Sequence, residues 1–240
     1  NVHRQVPQRH KVSRTRRQSM ATKRDATEAL RASALWASDS PDDWRAALDA
    51  YAQRRDALNH EKLTRLDPWF FDRLTVDVRA REPPCMTAEE LVNMVDWKMS
   101  RGKVRPNLLN YAKAHSEATV KDATRDAIAR LRSASRTEDI PRALEPAVKL
   151  KGIGPATASA VLACADDSVP FMCDDLILVA LGKMDSKFRY NESNFIELCE
   201  AARKKGQKVG MTASEVERAI FSVACLDKKP KTTSAAKRKR

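Results

Sequence analysis

Apolar residues recur at helical spacing along almost the whole chain between residues 25 and 227, and no segment alternates apolar and polar positions long enough to predict a strand. The expected class is therefore all-α. Ser40-Pro41-Asp42-Asp43 supplies a cap, a first-turn proline and an acid three positions beyond the cap, opening a helix expected to reach about Asn59. Asp67-Pro68 is expected to open another, carrying Trp69, Phe70 and Phe71. Thr87-Ala88-Glu89-Glu90 reads as a capping box leading into Leu91, Val92, Met94, Val95 and Trp97, with Gly102 as the stop. Further helices are expected over residues 106 to 115, 118 to 133, 192 to 207 and 213 to 226, the last behind a second box from Thr212 to Glu215. No internal repeat or linker interrupts the pattern, so residues 25 to 227 are expected to form one domain.

The most informative stretch is residues 150 to 163, Leu-Lys-Gly-Ile-Gly-Pro-Ala-Thr-Ala-Ser-Ala-Val-Leu-Ala. It reads as a hairpin between two helices. Gly152 and Gly154 are expected to provide positive φ for the tight turn, and Ile153 between them to enter the core. Pro155 suits the first helical position, where its missing N–H has no partner to lose. The following helix would then present unpaired N–H groups at the positive end of its dipole, an anion site. The same pattern also occurs in loops that bind nothing. Pro146 removes a backbone donor from the helix leading into the hairpin, so that helix must kink or start late.

Composition changes the picture chiefly through where the charge lies. A chain of 240 residues can bury one good core or two small ones, and no run of eighteen apolar residues spans a membrane. The formal charge is +13, yet residues 1 to 24 hold eight Lys or Arg and residues 228 to 240 hold seven, with no acid in either segment. Taking those fifteen from 45 leaves 30 cations against 32 acids, so residues 25 to 227 carry about −2. Any affinity of the folded part for nucleic acid must come from a local patch. Met20-Ala21 resembles a natural start, leaving residues 1 to 19 as upstream translation or an Arg-rich presequence for mitochondrial import. Lys228-Lys229-Pro230-Lys231 and Lys237-Arg238-Lys239-Arg240 read as a nuclear localisation signal, or as a disordered basic tail that helps hold DNA. Cys85, Cys164, Cys173, Cys199 and Cys225 are too scattered for a zinc site or an iron–sulfur cluster and fit a reducing compartment. The four histidines have no catalytic partner visible in the sequence.

The string Leu150-x-Gly152-Ile153-Gly154-Pro155-x-Thr157-Ala158, followed by Ser-Ala-Val-Leu, resembles the helix-hairpin-helix of the DNA glycosylase superfamily. The resemblance implies contact with duplex DNA phosphates through the amides of Gly152, Gly154 and Thr157, with Lys151 beside them. It also implies a monovalent cation, K or Na, on the carbonyls of Val148, Leu150 and Ile153, and no other cofactor. In that superfamily an Asp follows the first hairpin glycine by a little over twenty residues, after a short apolar segment with a proline. Asp174 and Asp175 stand twenty-two and twenty-three residues after Gly152, behind Val169-Pro170-Phe171-Met172-Cys173. Asp-Asp before aliphatics looks most like the alkyladenine branch, which would make Asp175 the catalytic residue ahead of Asp174. A carboxylate suits this chemistry because glycosidic cleavage builds positive charge on the sugar. Two acids at a helix start are equally well explained as caps. Bifunctional members carry a Lys two positions after the second glycine, where this chain has Ala156, so an enzyme here would be monofunctional.

Trp97-Lys98-Met99-Ser100-Arg101-Gly102-Lys103-Val104-Arg105-Pro106 is a second candidate. Lys98, Arg101, Lys103 and Arg105 could hold another phosphate, or could be solvated cations at a helix end. This segment and the hairpin together are similar to a eukaryotic family without assigned activity, over roughly residues 85 to 215. Of the aromatics Trp36, Trp44, Trp69, Phe70, Phe71, Trp97 and Phe171, a flipped base could stack on Trp69, Phe70 or Phe171, although aromatics at helical spacing are usually core. The reading is thus a monomeric, nuclear, all-α DNA-binding protein that cleaves N-glycosidic bonds in base excision repair. Its rivals are a non-catalytic DNA or chromatin-binding module, with the two Asp satisfied as caps, and more distantly an RNA-contacting role.

Overall fold

A computed structural model describes residues 31–184 and 188–228. The basic segments 1–24 and 229–240, with the start, import and localisation expectations attached to them, lie outside the described residues. Every regular element among the described residues is helical and no strand is present, so the chain is all-α. No described helix is long and apolar enough to cross a membrane.

In order, α1 (Pro41–Asp49), α2 (Tyr51–Asp56) and α3 (Glu61–Pro68) are followed by a π-helical segment (Trp69–Leu74) and α4 (Thr75–Ala80). Then come α5 (Ala88–Arg101), α6 (Leu108–Lys113) and α7 (Glu117–Ser133), a 3-10 segment (Thr137–Ala143), and the short α8 (Glu145–Val148). The hairpin leads into α9 (Pro155–Ala165), and α10 (Asp174–Leu181), α11 (Glu192–Val209) and α12 (Ala213–Cys225) complete the fold. One apolar cluster runs through this set from Ala32 to Ile220, with a small satellite around Tyr51, Leu63 and Phe221.

The caps sit where the side-chain chemistry puts them. Ser40 accepts from the Asp43 amide, and both capping boxes form, Thr87 with Glu90 and Thr212 with Glu215. Gly102 ends α5. Two expectations need correction. The first helix ends as α2 at Asp56, short of Asn59, which has φ 49°, and it is interrupted at Ala50. Asp67-Pro68 opens nothing, because α3 begins at Glu61 and runs through Pro68 straight into the π-helical turn. Asp67 is fully buried, and its carboxylate accepts from Tyr51 Oη at 2.7 Å and Trp97 Nε1 at 2.8 Å. A cap residue would have kept that oxygen for its own helix; here tertiary partners take it.

Pro146 behaves as its chemistry requires. The approach to the hairpin is a 3-10 segment, and α8 starts only at Glu145, placing the proline in its first turn. α9 is apolar on all sides, with every residue from Thr157 to Cys164 buried, and it packs against α4, α5, α7 and α8. A helix of that kind can only be a core helix. Its N-terminus is nevertheless at the surface of a cleft, because the hairpin glycines precede it.

Candidate functional site

The sequence candidates, far apart in the chain, meet around one cleft of about 780 Å³. That is within the roughly 300–1,000 Å³ usual for a ligand site. The C-terminal end of α5 and the turn beyond it contribute Lys98, Lys103 and Arg105; the hairpin contributes Gly152, Gly154 and Thr157; the start of α10 contributes Phe171, Asp174 and Asp175. Tyr190 and Lys228 border it as well, from the segment before α11 and the end of α12.

The two hairpin glycines do different jobs. Gly152 has φ +86°, and a Cβ there would lie 2.7 Å from the Tyr111 Cβ, so both backbone and space require glycine. Gly154 is an extended N-cap at φ −93° with nothing within 4 Å of a would-be Cβ, so the positive φ expected for it is not there. It leaves the helix start uncovered. Among the described residues the Gly152 and Gly154 amides have no backbone partner, whereas the Thr157 amide donates to the Gly154 carbonyl at 2.9 Å and is spent within the first turn. Ile153 is buried as expected. Of the carbonyls named for a cation, that of Leu150 already accepts the Ile153 amide at 2.9 Å. Lys151 lies over the Tyr111 ring at 5.1 Å, with its carbonyl 3.0 Å from His115 Nε2.

Neither aspartate is a cap. Cys173 caps α10, its Sγ accepting from the Leu176 amide at 3.4 Å, which leaves both carboxylates to the cleft. Asp174 Oδ1 accepts from Tyr190 Oη at 2.5 Å, and Oδ2 lies 3.8 Å from Lys103 Nζ. Burial, together with this carboxylate, pushes the Tyr190 hydroxyl well above its ordinary value, so it stays a donor. Asp175 Oδ2 accepts from Lys228 Nζ at 2.7 Å. Burial opposes the charge on Lys228, but Asp175 outweighs it and the amine is held above its ordinary value.

The basic stretch divides. Arg101 also borders the cleft, but it is buried and already paired, with Nη2 donating to Glu217 Oε1 at 2.9 Å and its guanidinium 3.9 Å from the centre of the Phe221 ring. A helix-end cation adjacent to a buried Trp points inward when an acid waits there. Burial pushes the Glu217 carboxyl upward against the pull of Arg101, and pushes the neighbouring Cys173 thiol up as well. Of the proposed stacking residues only Phe171 borders the cleft. Phe70 is stacked on Trp97 in the core, 3.7 Å apart and 4° from parallel, and Trp69 packs half-buried against the same core. The sequence does not mark Tyr190 or Lys228 as site residues. No local pattern marks Tyr190, and Lys228 was absorbed into the basic tail. All five cysteines are free thiols.

No protein-family model, curated protein or solved structure matches the chain.

Proposed function

We propose that this cleft is a helix-hairpin-helix DNA site at which water cleaves an N-glycosidic bond. The observation that carries the reading is the meeting, in one cavity, of uncovered hairpin amides, accessible cations and two aspartates that do not cap their helix. The Gly152 and Gly154 amides would hold a backbone phosphate at the start of α9, with Lys103 and Arg105 on a neighbouring one and a monovalent cation completing the hairpin contact. A nucleotide rotated out of the duplex would lie against Phe171. As the C1′–N bond breaks, its electron pair leaves with the base, and the positive charge on the sugar is stabilised by a fixed carboxylate. Water then adds to C1′ and its proton passes to that carboxylate.

Charge accounting reorders the two acids. Asp175 is held to Lys228 at 2.7 Å, while Asp174 meets the exposed Lys103 only at 3.8 Å. Asp174 is therefore the less tightly paired of the two carboxylates, and Tyr190 fixes its orientation. The test uses duplexes containing uracil, hypoxanthine, 8-oxoguanine or alkylated purines, read by alkali cleavage beside fluorescence anisotropy across a salt series. Base release that falls by about 10²-fold in Asp174→Asn, and less in Asp175→Asn, is the expected result. Salt-dependent binding that needs Gly152 and Gly154 but releases no base would make the protein a non-catalytic DNA or chromatin module. Undiminished binding by the double glycine-to-alanine variant would end the hairpin reading.

A further inference from the structure

The DNA reading leaves Arg101 without a task, although it borders the cleft. Its side chain is only 2% exposed, and its two terminal nitrogens donate to Glu217 at 2.9 and 3.3 Å, while Nε has no hydrogen-bond partner among the described residues. The guanidinium carbon lies over four aromatic rings, 3.9 Å from the centre of Phe221, 5.1 Å from Trp97, 5.6 Å from Phe71 and 5.7 Å from Phe171. Phe171 and Phe221 also border the cleft. Burial opposes the charge on Arg101, but Glu217 outweighs it and the guanidinium is held above its ordinary value.

We propose that Arg101 makes the cleft selective for electrically neutral bases and sets it against positively charged, alkylated ones. This rests on the DNA reading of the cleft, and it departs from the alkyladenine resemblance of the Asp174-Asp175 segment. Electron-rich ring faces are what hold a cationic ligand, and here the chain's own cation has taken them. Charge points the same way. Five lysines and arginines border the cleft against Asp174 and Asp175, and Glu217 behind Arg101 adds a third acid, so a positive surplus remains. A cationic base would meet like charge there. A neutral base meets no such repulsion, and when the C1′–N bond breaks it carries the electron pair away as an anion, which a fixed neighbouring cation stabilises until water protonates it. A cationic base leaves as a neutral molecule and gains nothing from Arg101.

The experiment gives the full chain two duplexes, one carrying a single 1-methylguanine and the other a single 1-methyladenine. Both are purines methylated at N1, but at neutral pH the first is neutral and the second a cation; each is placed on a 2′-fluorinated sugar that resists glycosidic cleavage. Affinities are read by fluorescence anisotropy beside the unmodified duplex. The 1-methylguanine duplex is expected to bind at least about tenfold more tightly than the 1-methyladenine duplex. Raising the salt should weaken both and leave their ratio unchanged, because Arg101 is buried and unscreened. In the double variant Arg101→Met, Glu217→Gln, which removes the buried pair together, the ratio should fall to within about threefold. Circular-dichroism melts show whether that variant folds; if it does not, the salt series decides, since a preference set by the exposed Lys103 and Arg105 would fade as salt rises. Equal or tighter binding of the 1-methyladenine duplex, a ratio that fades with salt, or a ratio kept by the folded double variant would overturn the proposal. No affinity for any duplex would end the DNA reading and this inference with it. Base release from the same lesions on ordinary deoxyribose is read separately: a preference for the neutral base without release ends the hydrolytic reading and leaves base selection by Arg101 standing.

Discussion

Asp67 and Asp174 each face a tyrosine hydroxyl and a cation: Asp67 meets Tyr51 at 2.7 Å and Arg55 at 3.5 Å, Asp174 meets Tyr190 at 2.5 Å and Lys103 at 3.8 Å. Their consequences differ because of cover. Asp67 is fully buried, also accepts from Trp97 Nε1 at 2.8 Å, and sits beside the buried Arg101–Glu217 pair. The Asp174 side chain is 34% exposed and that of its lysine 69%. In the interior a charge survives only with partners that cannot leave, so it is structural. At the cleft the partner is a long solvated side chain that can swing away and surrender the carboxylate to a ligand. The same residue types thus serve stability in the core and remain available at the cleft.

The sharpest break of that comparison is to delete each carboxylate in turn. Asp67→Ala should cost about 3–5 kcal/mol, since it strands buried donors and a cation, whereas Asp174→Ala should change stability by no more than about 1 kcal/mol. Urea unfolding of both variants decides it, and equal losses would mean that the cleft acid is structural too. A smaller contrast lies in the hairpin. Gly152→Ala puts a methyl against Tyr111 at φ +86° and should cost about 1–3 kcal/mol, whereas Gly154→Ala meets nothing and should stay within about 0.5 kcal/mol. Thermal melts would separate them, and DNA affinity in the stable Gly154 variant then reports the contact alone.

The smallest effect concerns Asp39, an exposed acid held by two lysines. Lys205 and Lys208, at 2.5 and 2.8 Å, hold the Asp39 carboxyl down from 3.8 to about 2. A carboxyl lowered by folding stabilises fully above its unfolded value and loses that contribution as pH falls from about 3.8 toward 2. Asp39→Asn should therefore melt below wild type at neutral pH and converge with it in acid. A gap that stayed constant down to pH 2 would assign the effect to something other than ionisation.

Much of the architecture was legible because it is written locally. Helical class, both capping boxes, the stop at Gly102 and the late start forced by Pro146 follow from side-chain and backbone chemistry within a few residues. The failures have the opposite character. Asp67-Pro68 has the form of a helix start, but Tyr51, Trp97 and Arg55 claim the carboxylate from other elements. Arg101 stands among cations in sequence and turns inward because Glu217, 116 residues away, is on the facing helix. Phe70 has the same composition signal as Phe171, yet one is stacked in the core and the other borders the cleft.

By itself the sequence determined that the chain is helical, where most helices begin, and that a glycine-bounded turn precedes an apolar helix at residues 150 to 163. Those features depend on hydrogen bonds and dihedral freedom inside short windows. Only the tertiary structure decided which charges are buried, that Cys173 and not an aspartate caps α10, and that Tyr190 and Lys228 hold the two acids. Desolvation and pairing of a charge are set by what packs against it, and the groups that pack here come from distant parts of the chain.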